Sequence, residues 1–328
     1  MSIEIVSADA LEIDVERAVD EIVEMLRTTV SRKLHRRGGV VGVSGGIDSS
    51  VTLGLTARAL GPERTLALLM PEADSDPQTL ELSRSVADAF GVETIVEDIT
   101  PILSALGAYE RREQAVREVV PQFDAGWRFK IVLPSVVETD GYRLFSIVAE
   151  SPSGETIEER LPPEQYRTIV AATNFKQRTR KVLEYFHADR LNYAVIGTPN
   201  RLEYDQGFFV KLGDGAADVK PIAHLYKSQV YRLAEFLGVP ETVRRRPPTT
   251  DTYSLPQSQE EFYFSLPYDR MDLCLFAHTG GHPPEAVADA VALSPAAVQR
   301  VFDDIDQKRR ATQYLHLPPQ LAEPVFES

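Results

Sequence analysis

Val40-Val41-Gly42-Val43-Ser44-Gly45-Gly46-Ile47-Asp48-Ser49-Ser50 decides how the rest of the chain is read. Its first four residues read as a short apolar strand, and Val51, Leu53, Leu55 and Ala57 begin a helical pattern. The segment is therefore strand, tight loop, helix N-terminus. Glycines let the backbone turn sharply and approach a ligand closely. The first amides of a helix lack partners and sit at the positive end of its dipole, so they hold an anion well. Ser44, Ser49 and Ser50 add hydroxyl donors. Asp48 has a reason to stand beside an anion if a divalent cation lies between carboxylate and phosphate. A strand-to-helix turn capped by serines would use the same residue types. No lysine follows the glycines, so the loop is not a Walker A motif.

Working outward, Val15, Ala18, Val19, Ile22, Val23, Leu26, Val30 and Leu34 recur at three and four, predicting a helix from Asp14 to about Arg36. The loop helix should run over 49–60 and stop at Gly61-Pro62. Thr65 to Met70 is a continuous apolar run, as in a strand buried on both faces. A helix over 77–90 and a strand over 92–96 follow. Helical structure is expected again over 164–188, a strand over 191–196, a helix over 225–237 and short helices through 267–310. Strands alternating with helices argue an α/β fold, a doubly wound parallel sheet with helices on both faces. Ligands of such sheets bind at the carboxyl ends of the strands, where strand order reverses. Between about 126 and 162 the period changes to two. Runs at 127–133, 142–148 and 156–161 predict a small antiparallel meander, its first turn at Asp140-Gly141, inserted into a single domain spanning 1–328. The Pro-rich stretch 315–328 reads as a C-terminal tail.

Lys and Arg total 35 against 49 Asp and Glu, a formal charge of −14. Such an acidic chain is a poor match for nucleic acid or for an anionic membrane surface. A site for an anionic substrate must then be built locally from Lys, Arg and helix ends. Cys274 is the single cysteine and lies in an apolar run, so it reads as a core thiol, with no disulfide framework. The N-terminus lacks the layout of a signal peptide, and no apolar run is long enough for a bilayer. These features predict a cytoplasmic protein.

The Ser-Gly-Gly-x-Asp-Ser string resembles the pyrophosphate loop of the N-type ATP pyrophosphatases. Later segments narrow the likeness: Thr173 to Arg180, Gly197-Thr198, Glu203, Gly207 to Asp218, Leu225 to Val230, and Pro248 to Asp251. In this order, over about 40–100 and 170–310, they resemble the ammonia-dependent NAD synthetases. The resemblance implies ATP as a substrate, bound by Gly42, Val43, Ser44, Gly45, Gly46, Ile47, Asp48, Ser49, Ser50, Thr198, Lys227 and Thr249. It implies Mg²⁺ on Asp48 and Glu203. It points to Arg178, Lys211, Asp218, Gln307 and Lys308 for nicotinic acid adenine dinucleotide, and to a homodimer. Asp48, Glu203, Lys227 and Asp214 are the expected catalytic residues. The acceptor carboxylate would attack the α phosphorus, pyrophosphate would leave, and ammonia would attack the acyl adenylate. Ammonium is not a nucleophile, so a carboxylate must take its proton; Asp214 or Asp218 is the nearest candidate. With little chain before the loop and no cysteine nucleophile, no glutaminase domain is expected, and ammonia would come free or from a partner.

Two departures touch the acceptor half. Gln307-Lys308-Arg309 stands where the family usually shows His-Lys-Arg, and the meander falls where the family builds its dimer contact and part of the dinucleotide site. They point to a divergent member and keep two other readings open. One is the same adenylation chemistry on another carboxylate, and the other is a nucleotide-binding homologue without catalysis. Asp48, Glu203 and Lys227 argue against the last. The charge runs Arg178/Arg180 and Arg244–Arg246 could equally be solvated surface. His224, His278 and His282 have no metal-ligand spacing.

Overall fold

The computed structural model describes residues 5–137, 143–250, 252–323 and 325. Alternation of apolar residues along each central strand explains the layering. Val41, Ala67, Leu69 and Ile196 face one side of the sheet, and Val40, Leu66, Leu68 and Val195 face the other; all are buried. A strand apolar on both faces must be covered on both, and helices cover it. The chain runs α1 Val15–Thr28, β1 Gly39–Gly42, α2 Ile47–Leu60, β2 Thr65–Leu69, α3 Thr79–Ala89 and β3 Glu93–Val96. Two helices, α4 Thr100–Ala105 and α5 Ala108–Val119, lead to a meander of β4 Arg128–Val132, β5 Ser146–Glu150 and β6 Thr156–Arg160. The long α6 Pro163–Leu191 returns the chain to the central sheet at β7 Ala194–Ile196. Then come α7 Arg201–Gln206, α8 Lys227–Leu237, α9 Glu241–Arg244, α10 Tyr268–Thr279 and α11 Pro295–His316.

The central sheet has strand order β3-β2-β1-β7, every pair parallel. The chain steps outward from β1 through β2 to β3, then crosses to the other side of β1. That reversal lies between β1 and β7, so a crevice opens at their carboxyl ends. The loop after β1 begins there.

The expected elements form, with differences at their ends. The first helix gives way at Thr29–Lys33 to a wider turn. Helix α2 starts at Ile47, two residues earlier than expected, because Gly46 is the cap and Asp48 already belongs to the first turn. In the meander, Phe129 pairs with Ala149 and Ile131 with Ile147. These four residues point inward onto Val116, Leu161 and Ile169. That register sets the second strand at Ser146–Glu150 rather than 142–148, and leaves Leu144 exposed. The expected turn at Asp140-Gly141 lies outside the described residues. The helices of 267–310 are not all short: α11 runs for 22 residues. Ser294 caps it, Pro295 starts it, and Val298, Val301, Phe302 and Ile305 hold its inner face in the core.

Candidate active site

The Ser44–Ser50 loop forms one wall of a cavity of about 900 Å³ at the carboxyl ends of β1 and β7. Gly45 has a φ of +69°, and a Cβ there would stand 3.1 Å from the carbonyl oxygen of Thr79, so only glycine fits without strain. A Cβ on Gly42 would stand 2.9 Å from Glu184 Oε1. Gly42, Val43, Ser44, Gly45, Gly46, Ile47, Asp48 and Ser49 all line the cavity. Ser50 does not: it is fully buried, and its hydroxyl donates to the Gly46 carbonyl at 2.8 Å. Its expected role at the ligand gives way to one inside the first helical turn.

Asp48 and Glu203 are 155 positions apart in sequence and meet in this cavity. Asn200 Nδ2 donates to Asp48 Oδ1 at 3.0 Å, while the Asn200 amide donates to Glu203 Oε2 at 3.2 Å. The Glu203 amide in turn donates to Asn200 Oδ1 at 3.2 Å. This capping box starts α7 and fixes Glu203 against Asp48. Gln259 Nε2 donates to Glu203 Oε1 at 3.1 Å. Lys227 Nζ pairs with Asp48 Oδ2. Burial opposes the Lys227 charge, but Asp48 and Glu203 outweigh it and hold the ammonium above its ordinary range. Burial, and then the Asp48 charge, push the Glu203 carboxyl up to about 8. Lys227 therefore does not offset both carboxylates. Two crowded carboxylates with oxygens turned into a cleft suit a hard divalent cation, which takes its other ligands from water and phosphate. Among the described residues no group of three or more His, Cys, Asp and Glu side chains is arranged for a metal. Asp48 and Glu203 would thus hold Mg²⁺ with help from the nucleotide.

Helix α8 aims Lys227, its first residue, into the cavity. Asp272 of α10 accepts from the amides of Lys227 (3.2 Å) and Ser228 (2.7 Å). Burial pushes Asp272 up to about 6, against those hydrogen bonds. The carboxylate supplies the N-terminal partners of α8 from another helix. Thr198 and Thr249 line the cavity, as expected.

A second acidic group lines the same cavity. Asp214 Oδ1 accepts from the Val210 amide at 2.7 Å, and burial raises its carboxyl above the usual range. Glu184, raised by burial and partly offset by Lys181, accepts from Lys181 Nζ at 2.5 Å. Both carboxylates line the cavity. Asp218 does not; its oxygens accept from the Val195 amide at 2.8 Å and the Tyr185 hydroxyl at 3.2 Å. Arg178 and Lys211 also lie outside the cavity wall. Arg178 Nε donates to the Lys211 carbonyl at 3.3 Å, and Lys211 Nζ to the carbonyls of Tyr314 (2.7 Å) and Leu317 (3.2 Å). Of the expected acceptor residues, this chain's own cleft brings together Gln307 and Lys308 but not Arg178, Lys211 and Asp218. Cys274 is buried as expected, and burial pushes its thiol up to about 12. No helix among the described residues is long and apolar enough to cross a membrane.

Asn200, Gln259, Glu184 and Asp272 escape the sequence reading. Asn200 alone had a local signal, the Asn-x-x-Glu of a capping box.

Comparison with known proteins agrees with this geometry. The NAD synthase family model matches residues 18–130 and 145–313. The NH(3)-dependent NAD(+) synthetase of Rhizobium meliloti is 61% identical over 98% of this chain and 96% of its own length. That of Rhizobium rhizogenes is 58% identical over 98% and 96%. Among solved structures, the NH3-dependent NAD synthetase from Campylobacter jejuni shares the fold with a TM-score of 0.63, at 22% identity over 95% of this chain and 100% of that one. Full-length identity of this order corrects the expectation of a divergent member raised by Gln307 and the meander. With the loop at the switch point, Asp48, Glu203 and Lys227 gathered on it, and a family match on both sides of the meander turn, the chain belongs to the NAD synthase family.

Proposed function

We propose that this protein is an ATP-dependent amide ligase that converts nicotinic acid adenine dinucleotide and ammonia to NAD, with ATP cleaved to AMP and pyrophosphate. The observation that carries this reading is the convergence of Asp48, Glu203 and Lys227 on the Ser44–Ser50 loop, in a cleft that continues to Gln307 and Lys308. A carboxylate and a triphosphate repel each other, so their reaction needs fixed positive charge. Lys227, held charged by its neighbours, supplies it beside the phosphates. Backbone amides at the start of α2 and the Ser44 hydroxyl cradle the departing pyrophosphate, while Ser49, whose hydroxyl donates to the Gly46 carbonyl at 3.0 Å and accepts from the Ser44 amide at 3.3 Å, shapes the loop. Mg²⁺, when bound at Asp48 and Glu203, would neutralise charge on the phosphate oxygens.

Asp214 is the residue we assign to the ammonium proton. It lies in the cavity wall, and burial makes its carboxylate a stronger base than an exposed one. Asp218, spent on the Val195 amide, is the poorer candidate. The reading extends to a homodimer: Val182 and Phe186 stand one turn apart on α6, 68% and 56% exposed, as a partner surface would require. It also carries a cytoplasmic location, where ATP is supplied.

The test is to give the purified protein ATP, Mg²⁺, ammonium and nicotinic acid adenine dinucleotide, and to follow AMP and NAD. Equal amounts of both are expected. AMP without NAD, or AMP only with another carboxylate, would overturn the assignment of the acceptor. Light scattering of the purified protein tests the dimer, and a monomer at micromolar concentration would reject it.

A further inference from the structure

Beside Lys308, which the resemblance already assigns to the acceptor, the cleft holds a residue from outside the family match, Arg143. Arg143 Nη2 pairs with Asp304 Oδ1, and Lys308 Nζ stands 2.7 Å from Asp304 Oδ2. Two cations therefore share one carboxylate whose side chain is only 3% exposed. The cluster is net positive inside a chain of charge −14. Arg143 Nη1 has only long contacts, 3.4 Å to the Pro134 carbonyl and 3.4 Å to Ser265 Oγ. Two residues on, Phe145 stacks on Tyr166 with ring centroids 4.2 Å apart and planes 17° apart. Arg143, Phe145, Tyr166, Asp304 and Lys308 all line the same cleft as the loop. Arg143 lies within 131–144, the one internal stretch that the family model skips.

A net positive pair beside a flat aromatic shelf suits an oxyanion attached to a ring-bearing nucleotide. We propose that Arg143, carried by the meander, completes with Lys308 an oxyanion subsite for the acceptor dinucleotide, with Phe145 on Tyr166 as the shelf for one of its rings. The subsite rests on the function proposed above. Asp304 positions the two cations when no acceptor is bound and keeps them from repelling each other. Lys308 Nζ also donates to the Tyr263 carbonyl at 2.6 Å, so the acceptor's oxyanion, either its pyrophosphate or its nicotinate carboxylate, takes up Arg143 Nη1, whose own contacts are long, with the Lys308 charge beside it. The meander thereby acts as a specificity element for the acceptor, while the ATP end is left to the loop.

Steady-state kinetics of Arg143→Gln test this. A lost charge-assisted contact should raise KM for nicotinic acid adenine dinucleotide about 10- to 100-fold. KM for ATP and kcat should stay within about twofold, as for an interaction that binds ground and transition states alike. Arg143→Lys should recover part of the loss. Phe145→Leu should raise the same KM less, through loss of ring stacking alone. Inhibition by the product NAD, which keeps the pyrophosphate but lacks the carboxylate, separates the two oxyanions. Its Ki rises with KM if Arg143 holds the pyrophosphate and stays constant if Arg143 holds the carboxylate. An unchanged acceptor KM in Arg143→Gln, with or without a lowered melting temperature, would make Arg143 a strut and overturn the proposal. Failure of the function itself would show differently, as absence of AMP from the unaltered protein.

Discussion

The two ends of the cleft are built on different principles. At the loop end, the ligand-facing groups are backbone amides and short side chains placed by the ends of parallel strands, with Gly45 in a conformation that only glycine adopts easily. At the acceptor end, long side chains from the meander, α6 and α11 reach the cleft and are held by mutual ion pairs. The first design fixes geometry through the main chain and tolerates little change. The second fixes it through side chains and can be retuned by substitution. On the proposed function, that division pairs common chemistry on ATP with adjustable recognition of an acceptor.

Substitutions that break the loop end should therefore cost far more than those at the acceptor end. Lys227→Met is expected to have the largest effect. It leaves Asp48 and Glu203 facing each other without their cation and should cost about 3–5 kcal/mol in urea unfolding, besides abolishing AMP release. Asp48→Asn keeps the shape and the Asn200 contact, and Glu203 remains beside Lys227. AMP release should fall about 10²- to 10³-fold, and the melting temperature should fall less than in Lys227→Met, because Glu203 still faces the ammonium. Near-normal turnover in this variant would reject the metal assignment. The acceptor-end variant Arg143→Gln comes next, its effect confined to one KM.

Asp272→Ala tests the support beneath Lys227. Loss of the cap on α8 should cost about 1–2 kcal/mol and reduce kcat through a less fixed Lys227. Its pH dependence gives a second check. The folded carboxyl, pushed up to about 6, lies above its unfolded value, so the folded state holds an extra proton across that window. Stability contributed there is lost as pH rises towards 6, and the variant should show a flatter dependence of the urea midpoint on pH. The smallest effect is expected for Arg178→Ala. Its guanidinium is exposed and, among the described residues, reaches only the Lys211 carbonyl, so monomer stability should change by no more than about 0.5 kcal/mol. A large rise in acceptor KM in that variant would mean that a second copy completes the site.

The same contrast explains what the sequence makes legible. The loop is contiguous, and the residues that shape it are adjacent, so strand, turn, cap and acidic residue can be read in order. The parallel sheet follows from strands apolar on both faces. The acceptor end has no such signal. Arg143 and Asp304 are 161 positions apart, and nothing local in either marks the pair. Asp272 caps a helix whose capped amides lie 45 and 44 positions earlier in the chain. Asp218 shows the converse: the resemblance groups it with Lys308, whereas within this chain its carboxylate accepts from the Val195 amide of β7, outside the cleft wall. The length of α11 exceeds the expectation because its apolar spacing is interleaved with charge; it packs on both α7 and α10.

On the proposed function, Asp48 and Glu203 hold one divalent cation over the nucleotide. Crystals grown with Mn²⁺ and a non-cleavable α,β-methylene analogue of ATP test it directly through the anomalous signal of the metal. We expect a single peak about 2.0–2.2 Å from an oxygen of each carboxylate and in contact with the phosphates. A peak that touches only one of the two side chains, or lies away from both, would rule out a cation shared by Asp48 and Glu203.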